Sequence, residues 1–135
     1  MNADNEQRVR LLFENGWHLG QLSALMAPDF RLQTGGREYD LQGTAWFMAS
    51  LYQAMPDLSF RIDMLFSSPE SVAVRSHAIG TFTQPYEAEP EVVFEPTGES
   101  VQWTGITLFQ FRGAQAVFAA QENDAVSLLS GMGLL

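Results

Sequence analysis

Arg75 and His77 stand two residues apart in a run, residues 71–82, whose β-branched and apolar side chains predict a strand. Side chains alternate across a strand, so Ala73, Arg75, His77, Ile79 and Thr81 share one face. The pair sets a fixed cation beside the one side chain that titrates near neutrality. Where that face lines a pocket, His77 serves as general base and Arg75 anchors an enolate or carboxylate. The same pair equally suits a hydrogen-bonded subunit interface or a sheet edge, where it does no chemistry. In residues 115–123, Val117, Ala119, Gln121 and Asn123 share a face. Gln33, near Arg31 in a short alternating run, is a further hydrogen-bonding candidate for a pocket, and equally a solvent-facing strand residue.

Much other chemistry is excluded by composition. There is no cysteine, hence no thiol nucleophile, disulfide or thiolate metal site. All seven basic residues are arginine, so no lysine forms a Schiff base. His18 and His77 match no zinc-binding spacing, and His18 fits a surface or capping role at a helix junction. Five glutamates (Glu87, Glu89, Glu91, Glu95, Glu99) crowd one segment, which reads as a solvated loop rather than a metal site. Asp57, after Pro56, reads as a turn former. No phosphate-binding glycine loop, metal triad or nucleophilic serine elbow is present, and no metal or cofactor is expected. Sixteen acidic residues give a net charge of −9, which disfavours nucleic acid and anionic membrane as partners.

The elements that must position these residues follow from periodicity. The chain has 135 residues, 46% hydrophobic and 17% charged, enough for one core, and a single domain over 1–135 is expected. Neither a secretory leader nor a membrane-length apolar stretch is read in it, so a cytoplasmic location is expected. Val9, Leu12, Phe13 and Trp17 recur at helical spacing from Asp4 onwards. A second short helix carries Leu22, Leu25 and Met26 and should stop at Pro28. Residues 29–34 alternate as a strand ending at Gly35-Gly36, and Thr44 is the expected cap of a third helix bearing Phe47, Met48, Leu51 and Met55. Runs at 59–66, 71–82, 100–111 and 115–123 predict four strands, read as an antiparallel meander because the breaks are short. The sum is an α+β domain, about three N-terminal helices on one face of a curved sheet.

The order of these motifs resembles the SnoaL-like polyketide cyclases over nearly the whole chain. The resemblance is carried by Leu11-Leu-Phe-Glu-Asn-Gly-Trp, Gly20-Gln-Leu-Ser-Ala-Leu-Met-Ala-Pro-Asp-Phe and Met55-Pro-Asp-Leu-Ser-Phe. It continues through Val72-Ala-Val-Arg, Gly80-Thr-Phe-Thr, Pro96-Thr-Gly-Glu-Ser-Val-Gln-Trp-Thr-Gly-Ile, Phe109-Gln-Phe-Arg-Gly and Asp124-Ala-Val-Ser-Leu-Leu. It implies the cone-shaped fold of the nuclear-transport-factor-two-like superfamily, a bent sheet and helices enclosing an apolar pocket, commonly dimerised through the sheet. It implies cofactor-free enolate chemistry on a hydrophobic carbonyl compound, a cyclisation or isomerisation. By the same resemblance Gln121 stands where cyclases carry a catalytic aspartate, and Thr107 where they carry a pocket histidine. The Asp-Arg-Asp trio of related epoxide hydrolases falls on His77, Arg75 and Gln121. His77, Arg75 and Gln121 are thus the candidate catalytic set. Trp17, Trp46, Tyr52 and Trp103, with Phe109 and Met48, are the candidate lining for a flat hydrophobic ligand, joined by Gln33, Thr107 and Asn123. A non-catalytic ligand-binding or scaffold protein of the same fold is the rival expectation, an epoxide hydrolase a third, and a homodimer is expected.

Overall fold

The computed structural model describes residues 2–135. Helices α1 (Asn2–Asn15) and α2 (Leu19–Leu25) lead into β1 (Met26–Thr34) and β2 (Arg37–Tyr39), followed by α3 (Leu41–Ala54). Long strands β3 (Ser59–Ser68) and β4 (Ser71–Thr81) come next, then a short hairpin, β5 (Tyr86–Glu89) and β6 (Val92–Phe94). Strands β7 (Ser100–Arg112) and β8 (Gln115–Asn123) and helix α4 (Ala125–Gly131) complete the chain. Six strands form one curved, unclosed sheet in the order β2-β1-β8-β7-β4-β3, and β5 pairs only with β6. The α+β expectation holds.

Burial follows strand parity. On β4 the even positions Val72, Val74, Ser76 and Ala78 are buried, while Arg75 and Ile79 are exposed and His77 is half-buried. Register carries that inner face across the sheet: Val74 pairs with Thr107, and Thr107 with Gln121. The helices cover it with Val9, Leu12 and Phe13 of α1 and Met48 and Leu51 of α3, all at most 4% exposed. Each such side chain contributes about 1.5–3 kcal/mol by leaving water. Gly16, at φ +92°, lets the chain turn between α1 and α2, and a Cβ there would sit 2.7 Å from the His18 ring nitrogen Nε2.

The structure differs from expectation at several joints. Pro28 lies within β1, where the pairing register with β8 shifts and a ladder donor is dispensable; α2 has already ended at Leu25. Asp40, not Thr44, caps α3: its carboxylate accepts from the Gly43 N–H at 2.7 Å, and Thr44 donates its hydroxyl back to the Asp40 carbonyl. β1 runs parallel to β8, a pairing between distant segments that short connections do not constrain. Half of the acidic loop is the β5–β6 hairpin, and α4, capped by Asp124 through the Ser127 N–H, adds a fourth helix.

Asp57 fastens the start of β3 to the end of β4. Its carboxylate accepts the Thr81 N–H and hydroxyl, both at 2.7 Å. The hydroxyl first, then the N–H, hold its pKa below the ordinary 3.8. A depressed folded pKa gives stability that is present above the unfolded value and lost as pH falls through the folded one. Asp57→Ala is expected to lower the urea midpoint by a constant margin between about pH 5 and 8, the margin narrowing below about pH 4. Parallel urea titrations of both proteins across that range check it.

Candidate ligand-binding site

β7 and β8 put three uncharged polar side chains on the concave face. The Gln121 amide Nε2 donates to Thr107 Oγ1 at 3.1 Å, and Asn123 Nδ2 donates to Gln121 Oε1 at 3.1 Å. Gln121 is 9% exposed and Thr107 1%. Buried polar groups persist only when paired, and this relay pairs both ends of the Gln121 amide. Gly105 makes room for it: a Cβ there would lie 2.2 Å from Asn123 Oδ1. Sequence reading passed over Gly105, although a glycine inside a β-rich run signals such close approach.

Around the relay the cone is largely filled. An inner cavity of about 30 Å3 remains, bounded by Trp17, Met48, Phe60, Trp103, Gln121 and Asn123 with Phe47, Leu51 and Leu128. None of these is ionisable. The cavity adjoins a much wider cleft of about 910 Å3 at the rim, sharing Phe47, Asn123 and Leu128 with it. Tyr39, Tyr86, Phe94, Glu122 and Leu129 are among the side chains lining the cleft. Tyr39 stacks on Phe47 and Tyr86 on Phe94, with centroids 5.5 and 6.5 Å apart. An exposed Arg37–Glu89 ion pair at 2.7 Å links the hairpin to β2. Burial pushes the Tyr86 phenol above its ordinary pKa, so it stays a neutral donor. The hairpin and α4, which supply much of this cleft, were not read as elements from sequence; the Tyr86 and Val92-Val93-Phe94 apolar positions flanking Pro90-Glu91 were the available signal.

The expected residues divide. Gln121, Asn123, Trp17 and Trp103 meet at the inner cavity, and Thr107 bonds Gln121 behind it. His77 and Arg75 do share a face, but the convex one. They are therefore not grouped with Gln121: His77 hydrogen-bonds Gln102 Oε1 at 2.8 Å, and Arg75 pairs with Asp63 at 2.9 Å. The Arg61 hydrogen bond, reinforced by the Arg61 and Arg75 charges, holds the Asp63 carboxyl below its ordinary pKa. Gln33 is exposed on the convex side of β1, and Trp46, 39% exposed, faces outward from α3. Tyr52 accepts the Trp17 backbone N–H at 3.1 Å and lines a separate cleft of about 390 Å3 with His18 and Glu14.

Residues 6–130 match the family model of the SnoaL-like polyketide cyclases. The chain belongs to that family. Solved structures agree on the fold: a candidate SnoaL-like polyketide cyclase from Jannaschia sp. CCS1 superposes with a TM-score of 0.85 at 19% identity, over 99% of this chain and 94% of that one. AclR from Streptomyces galilaeus, a candidate hydroxylase, gives 0.84 at 20% identity over 100% and 99%. IdmH from Streptomyces antibioticus, a candidate polyketide cyclase, gives 0.80 at 21% identity over 96% and 98%. No protein of curated function matches the sequence significantly. Among the described residues no cluster of histidines and carboxylates is arranged to hold a metal, and no helix is long and apolar enough to cross a membrane.

Replacing Gln121 by leucine keeps the volume and strands Asn123 Nδ2 and Thr107 Oγ1 without partners. It is expected to cost about 1–3 kcal/mol of unfolding free energy, read from urea denaturation. Gly105→Ala should destabilise through the same relay, because Asn123 must move.

Proposed function

We propose that this SnoaL-like protein binds an uncharged, hydrophobic, carbonyl-bearing small molecule, its ring system in the rim cleft and its polar end toward Asn123 and Gln121. The observation that carries this is that the cleft and the inner cavity share Phe47, Asn123 and Leu128 in their walls. The cleft, at about 910 Å3, lies in the range of ligand sites, and the uncharged amide of Asn123 stands on the wall it shares with the inner cavity, away from Arg37 and Glu89 at the hairpin. The inner wall supplies no base: where the family resemblance expects a carboxylate stands an amide whose two ends are already bonded. Binding without proton abstraction is the reading that fits this wall best. Enolate chemistry of the cyclase kind is the second reading, favoured by family membership and by Glu122, a carboxylate lining the cleft beside Asn123.

A panel of polycyclic ketones separates the readings. Binding to the folded state should raise the melting temperature with ligand concentration and change tryptophan fluorescence. Asn123→Leu should weaken that response, and His77→Ala, on the convex face, should leave it unchanged. Under the first reading, deuterium exchange at the carbon next to the ligand carbonyl is no faster than in buffer. Exchange that the protein accelerates and Glu122→Gln abolishes establishes the second. A panel in which no ketone shifts the melting temperature rejects both.

We also propose a homodimer formed through the convex face of the sheet. Met64, Phe66, Ile106 and Leu108 are 41–66% exposed there, on β3 and β7 with β4 between them, and exposed apolar patches of this kind seek a partner. Arg75 lies between Met64 and Ile106 across the strands with its charge paired to Asp63, and the His77–Gln102 bond follows at one side of the patch. Light scattering should give twice the 15.0 kDa chain mass, and Phe66→Glu should return the mass to that of one chain.

A further inference from the structure

Trp17 is 1% exposed, and its indole Nε1–H is the buried side-chain polar atom that finds no hydrogen-bond partner among the described residues. Such a donor bears its full desolvation cost and calls for a reason. The ring is not free to seek a partner elsewhere. Phe13 meets it edge-on at 5.3 Å, Phe109 packs against it at 5.8 Å, and the Trp17 backbone N–H is held by the Tyr52 hydroxyl. The same side chain lines the inner cavity beside Gln121 and Asn123. That cavity, at about 30 Å3, has room for roughly one or two oxygen-sized groups and no ring.

An indole N–H donates and never accepts, so whatever meets it must be an acceptor. No charged side chain lines the cavity, so an anion would be desolvated there without a counter-charge. We infer that Trp17 is the donor that recognises a ligand's carbonyl oxygen: the inner cavity takes that oxygen while the body of the compound fills the rim cleft, reached past Phe47, Asn123 and Leu128. This rests on the binding reading and adds to it the recognition residue and the requirement for an uncharged acceptor.

The test compares 1-tetralone with tetralin, the same bicyclic skeleton with and without the carbonyl. The chain's three tryptophans give three indole signals in a proton–nitrogen NMR spectrum, assigned with Trp46→Phe and Trp103→Phe. In the unsubstituted protein 1-tetralone should move the Trp17 indole proton downfield, while tetralin, at the same occupancy judged from the Leu128 methyls, should not. Trp17→Phe should weaken 1-tetralone roughly three- to tenfold and change tetralin by less than about twofold. A Trp17 signal that responds equally to both compounds, or to neither while the Leu128 methyls report binding, overturns the assignment of Trp17 and leaves the binding reading standing. Leu128 methyls unmoved by either compound at millimolar concentration overturn the binding reading, and this inference with it. The NMR comparison does not depend on whether Trp17→Phe folds.

Discussion

Phe13 sits at the centre of the aromatic contacts that fill the cone. Its ring meets Trp17, Phe60 and Phe109 edge-on, at centroid distances of 5.3, 5.7 and 6.4 Å, and thereby joins α1 to β3 and β7. A curved sheet with helices on one face must bury its concave side, and in this chain aromatic rings do much of that work. Interiors are close-packed, so space occupied by Phe13, Trp17 and Phe60 is withdrawn from any pocket. An inner cavity of about 30 Å3 remains, and ligand-sized space lies at the rim between α4, the β5–β6 hairpin and β2. Fold and site are thus set by one packing choice.

The second determinant is register. Each strand fixes only which residues share a face; pairing decides which faces coincide. Val74 beside Thr107 beside Gln121 puts the even positions of β4 with the odd positions of β7 and β8. His77 and Gln121 therefore look to opposite sides. A slip of one residue in the β4–β7 pairing would reverse this, and it is prevented because it would expose Val72, Val74 and Ala78 together.

That explains what was legible in the sequence. Spacing alone predicts the four long strands and three of the helices, and the run at 115–123 has the bounds of β8. The faces within β4 and β8 were also correct. Strand alternation leaves open whether the Arg75–His77 face meets a pocket or the outside of the sheet, and the apolar set Val72, Val74 and Ala78 on the other face, which meets the demand of a core more fully, decides for the outside. The parallel β1–β8 pairing joins segments some 80 residues apart and leaves no local trace. Trp46 and Tyr52 share an amphipathic helix with Met48 and Leu51, and helical spacing alone does not say that Trp46 faces solvent and Tyr52 a different cleft. Gln121 is legible through the family resemblance, and alternation puts Asn123 on its face; that the two amides are bonded to each other is visible only in the structure.

An amide at position 121 is a coherent choice for this lining. A carboxylate there would lie in an apolar cavity without a neighbouring cation, since Arg75 is on the far side of the sheet, and burial would push it toward its protonated form. A proton donor and acceptor in that place would change with pH; an amide offers both at every pH. Gln121 spends one end on Thr107 and the other on Asn123, which fixes its orientation without any charge. Asn123 in turn is seated by the missing side chain of Gly105. The relay therefore holds a fixed neutral surface at the back of the cleft, with Trp17 as the donor left over. A wall of that kind presents hydrogen-bonding groups in fixed positions and carries no ionisable side chain.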